Sequence, residues 1–130
     1  MQYRELGNSN IAETMACLIS LRDEGKIREI GVSNCTPGQM DEYLAAGVIV
    51  SNQPRYSMLD RKIEKELLPY CRKHDLAVLA YSPLEQGLLT GKIGMETSID
   101  PESFRNKLSW FAPEKRRLVI KLLSEWEVLT

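Results

Sequence analysis

The sequence holds a single histidine, no C-x-x-C pair, no G-x-G-x-x-G or P-loop fingerprint and no long run of one charge. Each absence removes a class of function. The three cysteines, Cys17, Cys35 and Cys71, are odd in number and lack zinc-ligand spacing, so neither a disulfide framework nor a metal site is signalled. Reduced thiols point to the cytoplasm. A net charge of -1 without a basic stripe argues against nucleic acid as a partner, because binding there needs cations that displace phosphate counterions. No apolar stretch approaches the ~20 residues of a membrane span. The opening "MQYRELGNSN" lacks the basic-then-apolar layout of a signal peptide. The expectation is a cytoplasmic protein without membrane or nucleic-acid partners.

What is present suits one modest domain: 130 residues, 43% of them hydrophobic, enough for a packed core. Ile11 to Glu24 reads as a helix with Ile11, Met15, Leu18, Ile19 and Arg22 on one face, ended by Gly25. "KIREIGV" reads as a strand. "CTPGQMDEYLAAG" announces a helix, with Thr36 and Gln39 as a capping box, Pro37 at the first helical position and Gly47 at the close. "VIVSNQ" is a second strand. A helix capped by Asp60 follows, carrying Ile63, Leu67 and Cys71 inward, and "LAVLAY" is a third strand. A less regular segment spans 82–111. A last helix begins near Pro113 with Leu118, Leu122 and Trp126 at helical spacing. Strands starting near Ile27, Val48 and Leu76, with a helix in each gap, suit parallel pairing through crossovers. Their apolar character suggests a sheet covered on both faces. The class is α/β, and a barrel and an open doubly wound sheet look alike at this level.

In parallel α/β folds ligands bind beyond the carboxyl ends of the strands. The first strand ends in Ser33 and Asn34, the second in Asn52 and Gln53, the third in Tyr81 and Ser82. An amide side chain offers a donor and an acceptor, which matches a ligand carboxamide. Tyr81 offers a flat face for stacking. The loop from Ser82 to Lys92 adds backbone N–H groups, Thr90 and a cation, which suit phosphates. A nicotinamide dinucleotide would use all three.

At this point the chain resembles the aldo/keto reductases, (β/α)8 barrels that reduce carbonyls with NADPH. The matching stretches are "GKIREIGVSN", "NQPRYSMLDR" and "LAYSPLEQGLLTGK". "FRNKLSWFAPEKRR" resembles the branch related to potassium-channel β subunits. The resemblance implies a partial (β/α)8 TIM barrel of about three parallel strands with flanking helices, over residues 11–130. It implies that Ser33, Asn34 and Gln53 hydrogen-bond the nicotinamide carboxamide and that Tyr81 stacks on the ring. Ser82, Leu84, Gly87 and Lys92 would line the pyrophosphate path, and Arg105 would reach NADPH from the long loop.

The family's catalytic Asp, Tyr, Lys and His stand on early barrel strands, where the Tyr donates a proton as hydride arrives. Those motifs are missing, so no catalytic residue is assigned. His74, in "CRKHDL", reads as a surface turn histidine. The stretch 1–10 resembles the family's N-terminal β segment and runs straight into the helix before a much later strand. That predicts an internally deleted chain that also stops short at its C-terminal end, inactive alone. A full TIM barrel takes ~250 residues, so exposed sheet edges are expected to invite self-association or pairing with a full-length relative. A decayed reading frame is the remaining alternative. Asp60 and Glu64 read as helix-start carboxylates rather than a metal or acid/base pair. Trp110, Phe111 and Trp126 read as core packing under the long loop.

Overall fold

The computed structural model describes residues 10–127, divided between Tyr81 and Ser82 into two compact units. The predicted β segment at 1–10 lies outside the described residues except for Asn10.

The first unit is α/β. Helix α1 (Ile11–Asp23) is capped by Asn10, whose side chain accepts from the Glu13 N–H at 2.9 Å. Gly25, at φ 74, follows its end in the left-handed conformation expected of it. Strand β1 (Gly31–Ser33) leads into α2 (Pro37–Ala46), where both halves of the Thr36–Gln39 capping box form. Strand β2 (Ser51–Gln53), helix α3 (Leu67–Lys73) and strand β3 (Ala77–Val78) complete a parallel sheet of order β1-β2-β3. The strands are shorter than predicted, yet pairing runs past them. Asn34 N donates to Gln53 O, Leu79 N to Asn52 O and Tyr81 N to Pro54 O. Arg55 and Tyr81 form an isolated parallel bridge.

The core lies between the helices and one face of the sheet, with Met15, Ile30, Met40, Ile49, Leu67, Cys71 and Leu76 buried. The other face departs from expectation. Gly31, Ser33, Gln53, Ala77 and Leu79 are exposed, so among the described residues of this unit the sheet is covered on one side. Side chains alternate across the pleat, and the register Gly31↔Ser51, Ser33↔Gln53, Ser51↔Ala77 puts these residues on the same face.

Helix α3 does not begin at Asp60. A single tight turn at Lys62–Glu64 intervenes, and the helix starts at Leu67 without a side-chain cap. Pro69 supplies the reason: it has no N–H to give the Lys65 carbonyl, so a helix begun at Asp60 could not run through it. Asp60 instead takes its backbone N–H to Ser57 Oγ at 3.0 Å and pairs with Arg55 at 3.8 Å.

The second unit opens with tight helical turns at Glu85–Thr90, Phe104–Lys107 and Ser109–Phe111, and ends in α4 (Pro113–Glu127). Helix α4 packs on the first and last of these turns. Leu88, Leu108, Phe111 and Val119 are buried. Of the α4 residues predicted to point inward, Leu122 is half-buried, whereas Leu118 is 67% and Trp126 40% exposed. Burial falls on Arg116 and Val119. Of the aromatic trio expected in a core, Phe111 is buried and Trp110 lies half-buried under Lys115, 5.2 Å from its ring centre.

Candidate functional site

At the carboxyl ends of β1 and β2, a short hydrogen-bond chain holds three of the predicted residues together. Ser33 Oγ donates to the Gln53 carbonyl at 3.0 Å, Asn34 N donates to the same carbonyl at 3.2 Å, and Asn34 Nδ2 donates to Ser33 Oγ at 3.2 Å. Asn34 has φ 55, a left-handed conformation that asparagine tolerates better than most side chains. These bonds involve the Gln53 backbone. The Gln53 side-chain amide and Asn34 Oδ1 make no hydrogen bond among the described residues, so both remain open to a ligand. Tyr81, 37% exposed, stands where the third strand ends, its N–H on Pro54 O and its carbonyl taking the Tyr56 N–H.

Asn52 was expected at this rim and is not there. It is fully buried on the opposite face, with Oδ1 accepting from Cys35 N at 3.4 Å and Nδ2 donating to Cys35 O at 2.9 Å. It ties the β1–α2 turn to β2. Strand alternation carries the signal: if Gln53 faces a ligand, its neighbour must face the helices. Burial pushes the Cys35 thiol up despite its bond to the Ser33 carbonyl.

The second unit carries the loop residues. Ser82 (φ 54), Glu85 (φ 47), Gln86 (φ 53) and Gly87 (φ 94) are all left-handed, and side chains hold that run in place. Gln86 Nε2 donates to Ser82 Oγ at 2.9 Å, Arg105 Nε donates to Gln86 O at 3.0 Å, and Thr90 Oγ1 donates to Gly87 O at 2.7 Å. Each non-glycine residue of this kind costs roughly 1 kcal/mol or more. Thr90 also accepts from Lys92 N at 3.2 Å, so its hydroxyl organises the loop it was expected to offer to phosphate. Leu84 is 55% exposed, and Lys92 is exposed just after Gly91 (φ 74). Arg105 is exposed, its Nε engaged as above. Gln86 escaped the sequence reading because nothing local marks a loop glutamine as a brace.

His74 caps the end of α3 and stacks on Tyr70, with ring centres 4.2 Å apart. No group of three or more His, Cys, Asp or Glu suited to a metal exists among the described residues. No described helix is long and apolar enough to cross a membrane. A groove of about 730 Å³ beside α3 is lined by Leu68, Cys71, Leu76 and Val78 among others, and none of the strand-end residues above contributes to it.

The family model for aldo/keto reductases matches residues 4–127. The chain belongs to the aldo/keto reductase family. It is 46% identical over 119 residues to the NADH-specific methylglyoxal reductase of Escherichia coli K12, a match that spans 92% of this chain and 36% of that protein. It is 40% identical over 96 residues to an aldo-keto reductase of Bacillus subtilis, spanning 74% of this chain and 29% of that one. The chain therefore spans about a third of the length of these aldo/keto reductases. Among solved structures, the glycerol dehydrogenase of Gluconobacter oxydans superposes with a TM-score of 0.86 at 36% identity, over 95% of this chain and 38% of that chain. An aldo/keto reductase of Klebsiella pneumoniae solved with NADP and acetate gives 0.56 at 39% identity, over 62% of this chain and 30% of that chain. The finer placement beside the potassium-channel β subunits rests on the segment "FRNKLSWFAPEKRR" alone.

Proposed function

We propose that this chain binds a reduced nicotinamide dinucleotide and forms the cofactor side of a carbonyl reductase that works by hydride transfer. In this reading Ser33, Asn34 and Gln53 hold the carboxamide and Tyr81 stacks on the nicotinamide ring. Ser82, Leu84, Gly87, Lys92 and Arg105 serve the pyrophosphate and the rest of the cofactor. The observation that carries it is the contrast between adjacent amides: Asn52 is buried and bonded through both its polar atoms, whereas the Gln53 side chain is exposed and makes no hydrogen bond among the described residues. An exposed amide beside an open Asn34 acceptor fits a ligand group with one donor and one acceptor. The cofactor supplies the hydride when bound; these residues orient its ring.

NADPH is the proposed form, following the NADP-bound Klebsiella structure, with NADH as the competing form named for the Escherichia coli relative. The groups assigned here serve the carboxamide and pyrophosphate common to both. The early-strand Asp, Tyr, Lys and His of the family are not matched, so the chain by itself is proposed to bind without reducing carbonyls. Three free thiols support a cytoplasmic place for it.

The test is a pair of fluorescence titrations with NADPH and NADH, together with an assay of NADPH oxidation by small aldehydes. Saturable binding with no steady-state oxidation is expected. Failure to bind either nucleotide overturns the reading, and a clear aldehyde-dependent rate overturns its non-catalytic clause.

A second reading is an interaction module. β1 and β3 each have one edge without a strand partner among the described residues, and Leu79 beside that edge is 51% exposed. Such edges pair readily with another chain. Light scattering across a concentration series tests it, and a monomer throughout would count against it.

A further inference from the structure

The loop around Lys92 is fastened at both ends by arginines. Arg105 holds the Gln86 carbonyl at one end. At the other, Arg116 in the first turns of α4 donates Nη2 to two carbonyls of one turn, Gly94 O and, at 2.9 Å, Thr97 O. The turn is also closed from within, by Gly94 N on Thr97 Oγ1 at 3.0 Å and Thr97 N on Gly94 O at 3.3 Å. Arg116 is only 8% exposed, and its Nε has no hydrogen-bond partner among the described residues. Burying a guanidinium with one nitrogen unsatisfied is unfavourable. An apolar side chain would fill the same space without that penalty, so the two carbonyl bonds are what the arginine adds.

Those bonds reach the segment two residues beyond Lys92. Upstream, Lys92 N is held by Thr90 Oγ1. Gly91, at φ 74, lies between Thr90 and Lys92, and Gly94 is itself the residue whose carbonyl Arg116 holds; these glycines are where an unfastened loop would swing. We propose that Arg116 is a positioning residue: it clamps the Gly94–Thr97 turn and thereby fixes the backbone that presents the Lys92 ammonium to an anionic ligand. This rests on the reading that Lys92 meets the cofactor pyrophosphate.

Two variants test it from opposite sides of the turn. Arg116→Gln removes the fork, and Thr97→Val removes the inner hydroxyl without touching the arginine. In limited trypsin digestion, cleavage after Lys92 is expected to accelerate on the order of tenfold relative to cleavage after Lys26 in the other unit. An unchanged ratio in both variants overturns the clamp. In NADPH titrations, Arg116→Gln is expected to weaken binding on the order of tenfold in the wild-type background and to add nothing in a Lys92→Met background. An equal loss in both backgrounds overturns the link to Lys92. If circular dichroism shows that Arg116→Gln is unfolded, Thr97→Val carries both arms. A wild-type chain that binds neither nucleotide removes the proposed function, while the digestion ratio still decides on the clamp.

Discussion

Asn52 and Gln53 are adjacent amides with opposite environments, and substituting each by alanine separates folding from binding. In Asn52→Ala, the Cys35 N–H and C=O lose partners at 3.4 and 2.9 Å. Each backbone group left unsatisfied costs about 1–3 kcal/mol. Cys35 is only half-buried, so water recovers part of this, and the sum should be about 3 kcal/mol. With a urea slope of about 1.5 kcal/mol/M, the unfolding midpoint should fall by about 2 M. A domain holding ~5–15 kcal/mol survives that loss, so the variant should remain folded in dilute buffer. In Gln53→Ala no protein hydrogen bond is lost, and the midpoint should move by no more than the roughly 0.5 kcal/mol of a surface change. Its NADPH affinity should drop on the order of tenfold. Urea titration followed by circular dichroism and nucleotide titration on the same preparations supply both readouts. If Asn52→Ala moves the midpoint by less than about 0.5 M, or if Gln53→Ala destabilises as much as Asn52→Ala, the division of roles is wrong.

Three further outcomes are expected. A Cβ at Gly31 would stand 2.3 Å from Ser51 Oγ and 3.3 Å from Ser51 O, so Gly31→Ala should cost about 1–3 kcal/mol; adding Ser51→Ala should recover most of it in thermal melts. Tyr70 is pushed up to about 12 by burial and then by its bond to Asp41, above its ordinary value of ~10. Its contribution to stability is intact below the unfolded value and lost as pH rises through the folded one; ultraviolet titration should show a late tyrosinate step that Tyr70→Phe abolishes. Glu64 is held below the ordinary carboxylate range by Arg61 and then by the Tyr56 hydroxyl. The stability it contributes is present above the unfolded value and lost as pH falls through the lowered one. Glu64→Gln should therefore flatten the acid limb of a stability profile, and an unaltered limb would show that the Arg61–Glu64–Tyr56 cluster is not coupled to folding.

Local chemistry was legible wherever one residue settles one conformation. The Thr36–Gln39 box, Pro37 and Gly25 each act within a turn of chain and stand where expected. Phase was harder. Leu118, Val119, Ile120, Leu122 and Leu123 place apolar groups on more than one face of α4, and the packed face is the one that includes Arg116. A charged run, "EKRR", hid the arginine whose acceptors are carbonyls distant in sequence. Strand phase failed likewise at Asn52 and Gln53, where both residues are polar amides and only the pairing with β1 tells the faces apart. The start of α3 was misread because Asp60 attracts attention as a cap, while Pro69 nine residues later decides the matter.

The left-handed Asn34 and Ser82 bear on any attempt to engineer this chain. At φ 55 and 54, glycine would relieve backbone strain while giving up the Gln86–Ser82 and Asn34–Ser33 side-chain bonds; both bonds are exposed, so a screen for thermal tolerance would still reach Asn34→Gly and Ser82→Gly. Each replacement would also delete a polar group assigned here to the cofactor. Selection for heat resistance alone would thus push both strand ends toward a smoother backbone and a blank binding surface. A sturdier variant would need its gains made elsewhere, for instance on the exposed Leu118 side of α4.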